Sequence, residues 1–289
     1  MREVSQTNDV IIACERAEVV AMLENGDGHL PRRKTYWVPR PVGKGKWRKA
    51  WKRSRISKKA LKGIQTLISV GAPIETRVAP RKSRRIYITD TEINNLAHKL
   101  AHPTEIIIPT HFDTQLAKPL MRKRAIFHKI DGLHGHVHLH PHIRPKTVSN
   151  PPKVMVRRLL GDGIHDSDEI LQIPENWLEG LSIFTADENE VTGNPWNLIQ
   201  NVANMDGVIT QSVTLASEAV LLGVPTLLIS KAKRGFLDRL KSDGYPLFVA
   251  KEKDESILAQ WLAGIHLTSE LELPDWPNTR SELLEIIKH

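Results

Sequence analysis

The chain has 289 residues, of which 40% are hydrophobic and 26% are charged, with a net charge of +8 and a single cysteine, Cys14. This size suits two domains, and a lone cysteine excludes an intramolecular disulfide as well as a cysteine-based zinc site. Because no apolar run is long enough to span a bilayer and residues 1–10 lack the apolar core of a signal peptide, we expect a cytoplasmic protein with no transmembrane segment.

The first half of the chain alternates short apolar runs with segments of helical periodicity. Strands are predicted over residues 10–13, 86–89, 106–109 and 125–129, and helices over residues 16–23 and 91–101. Strands that are separated by helices favour a parallel sheet, so an α/β fold is expected.

The positive charge is concentrated in one part of this half. Residues 28–74 contain no Asp or Glu and fourteen Lys or Arg, which leaves a net charge of −6 for the rest of the chain. All fourteen lie within residues 32–62, which we call the basic segment. This segment is therefore distinct in charge from a weakly acidic body.

Within the basic segment, a helix is predicted after the Pro- and Gly-rich residues 39–45. Apolar and small side chains then recur every three or four residues, at Trp47, Ala50, Trp51, Ser54, Ser57, Leu61, Ile64 and Ile68. Three interpretations are open: a solvated helix whose apolar stripe lies in the core, a helix on an anionic membrane surface, or a helix that binds nucleic acid. Nucleic acid ranks last, because no DNA- or RNA-binding motif of defined spacing accompanies the charge.

Five histidines alternate with other residues at positions 134, 136, 138, 140 and 142. In an extended strand they would share one face, and imidazole is a ligand for zinc, copper or nickel. However, no Cys, Asp or Glu lies within this run to add a further ligand, so we predict no metal and no cofactor. The Pro- and His-rich residues 133–152 are instead interpreted as the boundary between a first domain at 1–140 and a second at 151–289.

The second half shows the same alternation. Strands are predicted over residues 154–158, 181–185 and 246–249, and helices over residues 196–204, 236–241 and 255–265. Residues 208–230 have the pattern of a βαβ unit, with a short apolar strand, a polar turn, a helix that ends before Gly223 and Pro225, and a second strand.

The polar turn of this βαβ unit is the strongest candidate for a binding site. Backbone N–H groups and the helix dipole would face the carboxyl edge of the sheet, where a phosphate is well placed. Ser212 and Thr214 would add hydroxyl groups, and Glu218, one turn after Thr214, could accept hydrogen bonds from a ribose. The alternatives are that Ser212 or Thr214 caps the helix and that Glu218 is a solvated surface residue.

Four segments together carry a resemblance to a known family. In chain order they are DVIIACERAEVVAMLEN, YITDTEINNLAHKLAHPTEIIIPTHF, VRRLLGDGIHDSDE and TQSVTLASEAVLLGVP. They resemble an uncharacterised prokaryotic family, domain-of-unknown-function family 354, which is similar to the GT-B glycosyltransferases and to UDP-N-acetylglucosamine 2-epimerase. The resemblance implies two Rossmann-like domains facing a cleft, with a nucleotide sugar held mainly by the C-terminal domain.

The resemblance also assigns roles and shows two departures. It implies that Glu218 binds the ribose and that residues 212–214 approach the phosphates. Many GT-B proteins have glycines in that turn, whereas this chain has Gln211, Ser212 and Val213. The family usually begins with a further strand and helix, so the first domain is expected to be shortened by that unit.

Charged groups at other strand ends are the candidates for catalysis. Arg157 ends a strand and could stabilise a departing nucleotide diphosphate. His165 and Asp166 lie in a loop after that strand, and Asp90 and Glu92 lie at another strand-to-helix turn, so each is a candidate general acid or base. An alternative role for Asp90 is to cap the helix that follows it.

The sequence thus predicts a protein that binds a nucleotide sugar, with a UDP-sugar as the preferred ligand. If it is an enzyme, it is a glycosyltransferase or a sugar-nucleotide epimerase, a step that rests on fold-level analogy. The alternative is a non-enzymatic module whose basic segment binds an anionic membrane surface or nucleic acid. In that case the protein would be cytoplasmic and attached peripherally to the membrane.

Overall fold

The computed structural model describes residues 9–25, 34–140, 147–159, 171–186, 194–232 and 234–289. The chain divides into two compact units. Unit 1 comprises Met1–Val137 and Pro277–His289, and unit 2 comprises His138–Trp276. Every strand pair of the described residues is parallel, which confirms the predicted α/β class.

Unit 1 holds two parallel sheets. One pairs β1 (Val10–Cys14) with β2 (Lys34–Val38), and the other has the order β3 (Thr66–Val70), β4 (Arg84–Ile88), β5 (Glu105–Pro109) and β6 (Ile126–Ile130). The helices that connect these strands are α1 (Ala17–Glu24), α2 (Lys46–Ala60), α3 (Pro73–Val78), α4 (Asn95–Leu100) and α5 (Lys118–Met121).

Strand β5 is the centre of the core of unit 1. Successive side chains of a strand point to opposite faces. Ile106 and Ile108 accordingly pack with Leu120 in one apolar cluster, while Ile107 packs with Ile130 in another. All three isoleucines are fully buried, as expected for a parallel strand that is covered on both faces.

The histidine-rich stretch forms a helix rather than an extended strand. Helix α6 (His134–His138) continues the sequence from unit 1 into unit 2. In a helix, alternating residues do not share one face, so His136 is buried while His134 and His138 are exposed. His136 serves the local fold, because its Nδ1 accepts a hydrogen bond of 2.8 Å from the backbone N–H of Leu133.

Unit 2 contains one five-stranded sheet. Its order is β11 (Leu247–Ala250), β10 (Thr226–Ile229), β9 (Gly207–Thr210), β7 (Lys153–Arg157) and β8 (Ser182–Thr185). Its helices are α7 (Leu198–Ala203), α8 (Val213–Leu221), α9 (Gly235–Ser242) and α10 (Glu255–His266), with 3₁₀ turns at Glu175–Leu178, Pro195–Asn197 and Thr268–Glu270. Across the described residues, no helix combines the length and the apolarity that crossing a membrane requires.

Helix α10 closes the core of unit 2 over the sheet. Trp261 and Ile265 are fully buried in the same cluster as Ile209 of β9. The first residue of β9 is Gly207, where an added Cβ would lie 2.8 Å from side-chain atoms of both Trp261 and Ile265. Glycine therefore allows α10 to approach this strand closely. The indole of Trp261 also donates to the carbonyl of Pro225 at 3.0 Å.

The C-terminal helix, α11 (Thr279–Lys288), belongs to unit 1. Leu283 is buried in the cluster that contains Ile107, so the helix completes the core on that side of the sheet. The Arg84 guanidinium donates to the carbonyls of Ile286 and Ile287 at 2.5 and 2.7 Å, which satisfies acceptors that a helix end leaves without partners. The predicted division places all of residues 151–289 in the second domain, because local periodicity does not show that the last residues of the chain pack with the first domain.

Helix α2 is shorter than the periodic pattern predicted. The pattern extended to Ile68, but the helix ends at Ala60 and Ile68 lies in β3. Of the three interpretations of this helix, a stripe packed in the core does not hold for its two largest members, because Trp47 and Trp51 are 70% and 60% exposed. The face that packs inward consists of smaller side chains such as Ser57 and Ala60.

Candidate functional site

The carboxyl edge of the unit 2 sheet contains a topological switch point. From β7 the chain moves to β8 on one side, and it then returns to β9 on the other side of β7. In open α/β sheets, the carboxyl ends of the strands at such a point are the usual ligand site. Arg157 and Thr210, the last residues of these strands, are partners in the ladder.

The turn after β9 is held in place by Gln211. This side chain is buried; its Oε1 accepts from the backbone N–H of Leu159 at 2.7 Å, and its Nε2 donates to the carbonyl of Leu171 at 2.5 Å. The backbone N–H of Gln211 also donates to the carbonyl of Arg157 at 3.3 Å. These bonds tie the segments after β7 to the start of α8.

Ser212 is the N-cap of α8. Its Oγ accepts a hydrogen bond of 3.3 Å from the backbone N–H of Leu215, and its own N–H donates to Oγ1 of Thr210 at 3.0 Å. This is the capping role that the sequence left open as an alternative. Thr214 differs, because it lies exposed in the first turn of the helix.

Glu218 lies one turn after Thr214 on α8. Its side chain is 14% exposed, and its Oε1 accepts a hydrogen bond from Nε2 of His138 at 3.1 Å. It is therefore not a fully solvated surface residue. The two residues are 80 positions apart, so no spacing in the sequence could have predicted the pair; the histidine run was the only signal.

The pair combines two types of metal ligand, an imidazole and a carboxylate. His134 lies one turn before His138 on α6 and is also exposed. His138 is 40% exposed at its side chain, so a ligand can reach the pair from solvent.

Arg157 brings a positive charge to the same edge of the sheet. Its Nη1 donates to the carbonyl of Ala186, which follows β8, at 3.2 Å. The guanidinium is thereby oriented beyond the ends of β7 and β8. Arg157 ends β7, and Thr214 and Glu218 lie on α8, the helix that follows β9 in the same sheet.

Asp90 and Glu92 lie in the turn after β4 in unit 1. Glu92 is 1% exposed, and its Oε1 accepts from the backbone N–H of Asp113 at 3.4 Å. Asp90 is half-buried, and its Oδ1 accepts from the hydroxyl of Thr91 at 3.2 Å. Asp90 does not cap α4, because that helix begins later and its N-cap is Asn94, whose side chain accepts from the N–H of Ala97.

Two titratable side chains flank this turn and are neutral at neutral pH. Burial raises the pKa of Tyr87, in β4, to about 12. Burial also disfavours the imidazolium form of His98, in α4, and lowers its pKa to about 4. The remaining two candidates, His165 and Asp166, lie outside the described residues.

Comparison of the sequence with protein-family models and with curated proteins finds no match. Membership of domain-of-unknown-function family 354 therefore stays a prediction.

Comparison with solved structures finds similar folds. The UDP-N-acetylglucosamine 2-epimerase of Methanocaldococcus jannaschii aligns over 96% of this chain and 99% of its own, with a TM-score of 0.56 and 10% identity. The S. aureus MnaA–UDP co-structure aligns over 96% of this chain and 94% of its own, with a TM-score of 0.54 and 10% identity. A Listeria monocytogenes protein described as a candidate UDP-N-acetylglucosamine 2-epimerase aligns over 97% of this chain and 95% of its own, with a TM-score of 0.54 and 8% identity. These similarities show the fold alone, and they confirm the predicted Rossmann-like, GT-B-like class.

Proposed function

We propose that the chain binds a nucleotide sugar, preferably a UDP-sugar, at the carboxyl edge of the unit 2 sheet. The observation that carries the proposal is the position of Glu218, a largely buried carboxylate one turn after Thr214, on the helix that leaves the topological switch point. Ligands of open α/β sheets bind at such points. The UDP in the S. aureus co-structure, which shares the fold, supports this class of ligand.

The first turn of α8 and Arg157 would hold the diphosphate. The N–H groups at the start of a helix carry partial positive charge and suit an anion. Thr214 adds a hydroxyl group in this turn, and Arg157 adds a full charge at the end of the neighbouring strand. Ser212 and Gln211 contribute by fixing the turn, because their side chains already bond to the backbone.

Glu218 would accept hydrogen bonds from the ribose hydroxyls. His138 donates to Oε1, which leaves Oε2 as the atom that meets the ribose. The imidazole holds the carboxylate in one orientation, so binding costs less side-chain entropy than it would with a freely rotating glutamate. Hydrogen bonds to a charged acceptor are among the stronger ones in proteins.

A reaction at this site would break the bond between the sugar and the diphosphate. The amino end of α8 and Arg157 would stabilise the negative charge that develops on the departing UDP. Within unit 2, His165 and Asp166 are our candidates for proton transfer. The two enzyme classes that we propose for such a reaction are the sugar-nucleotide epimerases and the glycosyltransferases.

The test is calorimetric titration of the full chain with UDP, UMP and UDP-N-acetylglucosamine. We expect wild type to bind UDP more tightly than UMP, because the second phosphate lies at the helix start. Glu218→Gln should weaken UDP binding by about tenfold or more, because charged hydrogen bonds are worth about 1.5–3 kcal/mol. Glu252→Gln, an exposed glutamate elsewhere in unit 2, is the matched control and should bind like wild type. Absence of UDP binding to wild type, or equal losses in both variants, would overturn the proposal.

A further inference from the structure

The outer face of α2 exposes two tryptophans among cations. Trp47 and Trp51 are separated by one turn, so they lie on the same side of the helix. Arg55 and Lys58 continue this stripe and are exposed as well. We call these four residues the tryptophan–cation face.

No acidic side chain neutralises this face from within its own segment. Residues 34–74 contain no Asp or Glu. The next acidic residue, Glu75, is 3% exposed and pairs on the inner side of α2 with Arg53, at 2.8 and 2.9 Å, and with the hydroxyl of Ser57, at 2.8 Å. The exposed cations from the loop before α2 to the turn after it are Lys44, Lys46, Arg48, Lys49, Lys52, Arg55, Lys58, Lys59 and Lys62.

The inner contacts fix which way the face points. Ser57, Ala60 and Leu61 are buried, and the Arg53–Glu75 pair ties α2 to α3. The helix therefore cannot rotate the tryptophans inward without breaking a buried ion pair. Their 70% and 60% exposure is a property of the folded unit.

The chemistry of the face matches the surface of an anionic bilayer. Indole rings favour the headgroup region, where the ring is partly desolvated and its N–H keeps a polar partner. Two of the cations lie over the rings, Lys46 at 5.7 Å from the centroid of Trp47 and Arg55 at 4.8 Å from that of Trp51, so charge and indole would reach the same depth. Each Lys or Arg near such a surface strengthens binding about fivefold.

We propose that the tryptophan–cation face of α2 docks the protein on membranes that contain anionic phospholipid. The two rings are inserted among the headgroups, and the surrounding lysines and arginines meet the lipid phosphates. A membrane is favoured over nucleic acid because the rings lie on the exposed outer face of a single helix. Single-stranded nucleic acid, by contrast, is held in grooves that contain stacking platforms.

The experiment is co-sedimentation of the full chain with vesicles of phosphatidylcholine alone and of phosphatidylcholine mixed with phosphatidylglycerol. We expect binding to the mixed vesicles only, with a marked loss as the salt concentration rises. The double variants Trp47→Ala/Trp51→Ala and Arg55→Glu/Lys58→Glu should each lower the partition coefficient about tenfold or more. Circular dichroism and the thermal midpoint would show that both variants remain folded.

Two control variants match these changes elsewhere in the chain. Lys241→Glu/Lys251→Glu makes the same charge change at exposed sites of unit 2, and Trp196→Ala removes a tryptophan of that unit. Both should bind the mixed vesicles like wild type. Brominated lipid should quench the fluorescence of wild type but not that of the double tryptophan variant. Absence of vesicle binding, equal binding by all variants, or salt-dependent binding of a single-stranded RNA without any vesicle binding would overturn the proposal.

Discussion

One polar cluster in each unit can be compared: that around Gln211 lies at the carboxyl edge of the unit 2 sheet, and that around Glu105 lies at the amino edge of the unit 1 sheet. In unit 2, β9 and β10 are buried throughout and contain no charged residue, and the polar side chains gather in the turn after β9. In unit 1, a cluster of charges lies near the amino-terminal edge, where Glu105 bonds to Arg84 and to His128 of the two neighbouring strands. The comparison distinguishes two uses of polar side chains: the Glu105 cluster joins neighbouring strands, and the turn that Gln211 holds is where we propose that a ligand binds.

The largest expected effect tests the structural cluster of unit 1. Arg84→Met would leave the carboxylate of Glu105 without its main partner and the last carbonyls of α11 without their donors. We expect a loss of about 3 kcal/mol in the free energy of unfolding, measured by urea denaturation. Arg81→Met, at an exposed position nearby in sequence, should change the stability by less than about 0.5 kcal/mol. Equal stability of the two variants would show that this cluster does not hold α11.

Lowering the pH is expected to destabilise unit 1, because two of its buried side chains have lowered pKa values. The pKa of His98 is lowered to about 4 by burial, and that of Glu105 is lowered mainly by the hydrogen bonds from Arg84. Both groups bind fewer protons in the folded than in the unfolded state, so their stabilisation is present at neutral pH and is lost as the pH falls.

For His98 this loss should begin near its unfolded pKa of about 6.5 and amount to about 2–3 kcal/mol by pH 4. Urea denaturation across this range would measure it. His98→Leu should flatten the slope between about pH 6.5 and 4, whereas His266→Gln, at an exposed site, should leave it unchanged. An unchanged slope in His98→Leu would refute the assignment.

Gln211 distinguishes anchoring from ligand binding in unit 2. Gln211→Ala removes both side-chain bonds and leaves the N–H of Leu159 and the carbonyl of Leu171 without that partner. The expected cost is about 2 kcal/mol of stability, since unsatisfied buried groups lose their hydration without compensation. Gln200→Ala, in the exposed face of α7, is the control. A stability equal to that of the control would mean that the turn is held by other contacts.

The smallest effects compare the two helix caps directly. Ser212→Ala and Asn94→Ala each remove one side-chain acceptor at a helix start, so each should cost about 1 kcal/mol in thermal or urea denaturation. Only Ser212→Ala should also weaken UDP binding, because only α8 begins at the proposed site. A loss of UDP affinity with Asn94→Ala would contradict the difference between the two turns.

The sequence was informative wherever structure depends on neighbouring residues. The βαβ unit at residues 208–230 appears as β9, α8 and β10, because hydrophobic periodicity, a capping serine and Gly223 act locally. Ile68 was misassigned because it continues a helical spacing by coincidence, while its partners in β4 are distant in sequence. The whole of β2 was missed for a related reason: its first residue is a lysine, and among the described strands its partner is β1, more than twenty residues earlier.

The candidate site could be predicted only in part for the same physical reason. Ser212, Thr214 and Glu218 follow from helix geometry, so their common placement on α8 was accessible. The partner of Glu218 is His138, and the partners of Gln211 are Leu159 and Leu171. Such contacts are created by the packing of distant segments, and no local pattern in one sequence encodes them.

The most direct test of the nucleotide proposal is hydrogen–deuterium exchange of the full chain with and without UDP. The amides of Val213 and Thr214, at the start of α8, should exchange more slowly when UDP is bound, because the diphosphate would accept hydrogen bonds there. The corresponding amides after β4, residues 90–93, serve as the internal comparison and should change less. Slower exchange at many other segments, with none at Val213 and Thr214, would contradict the account.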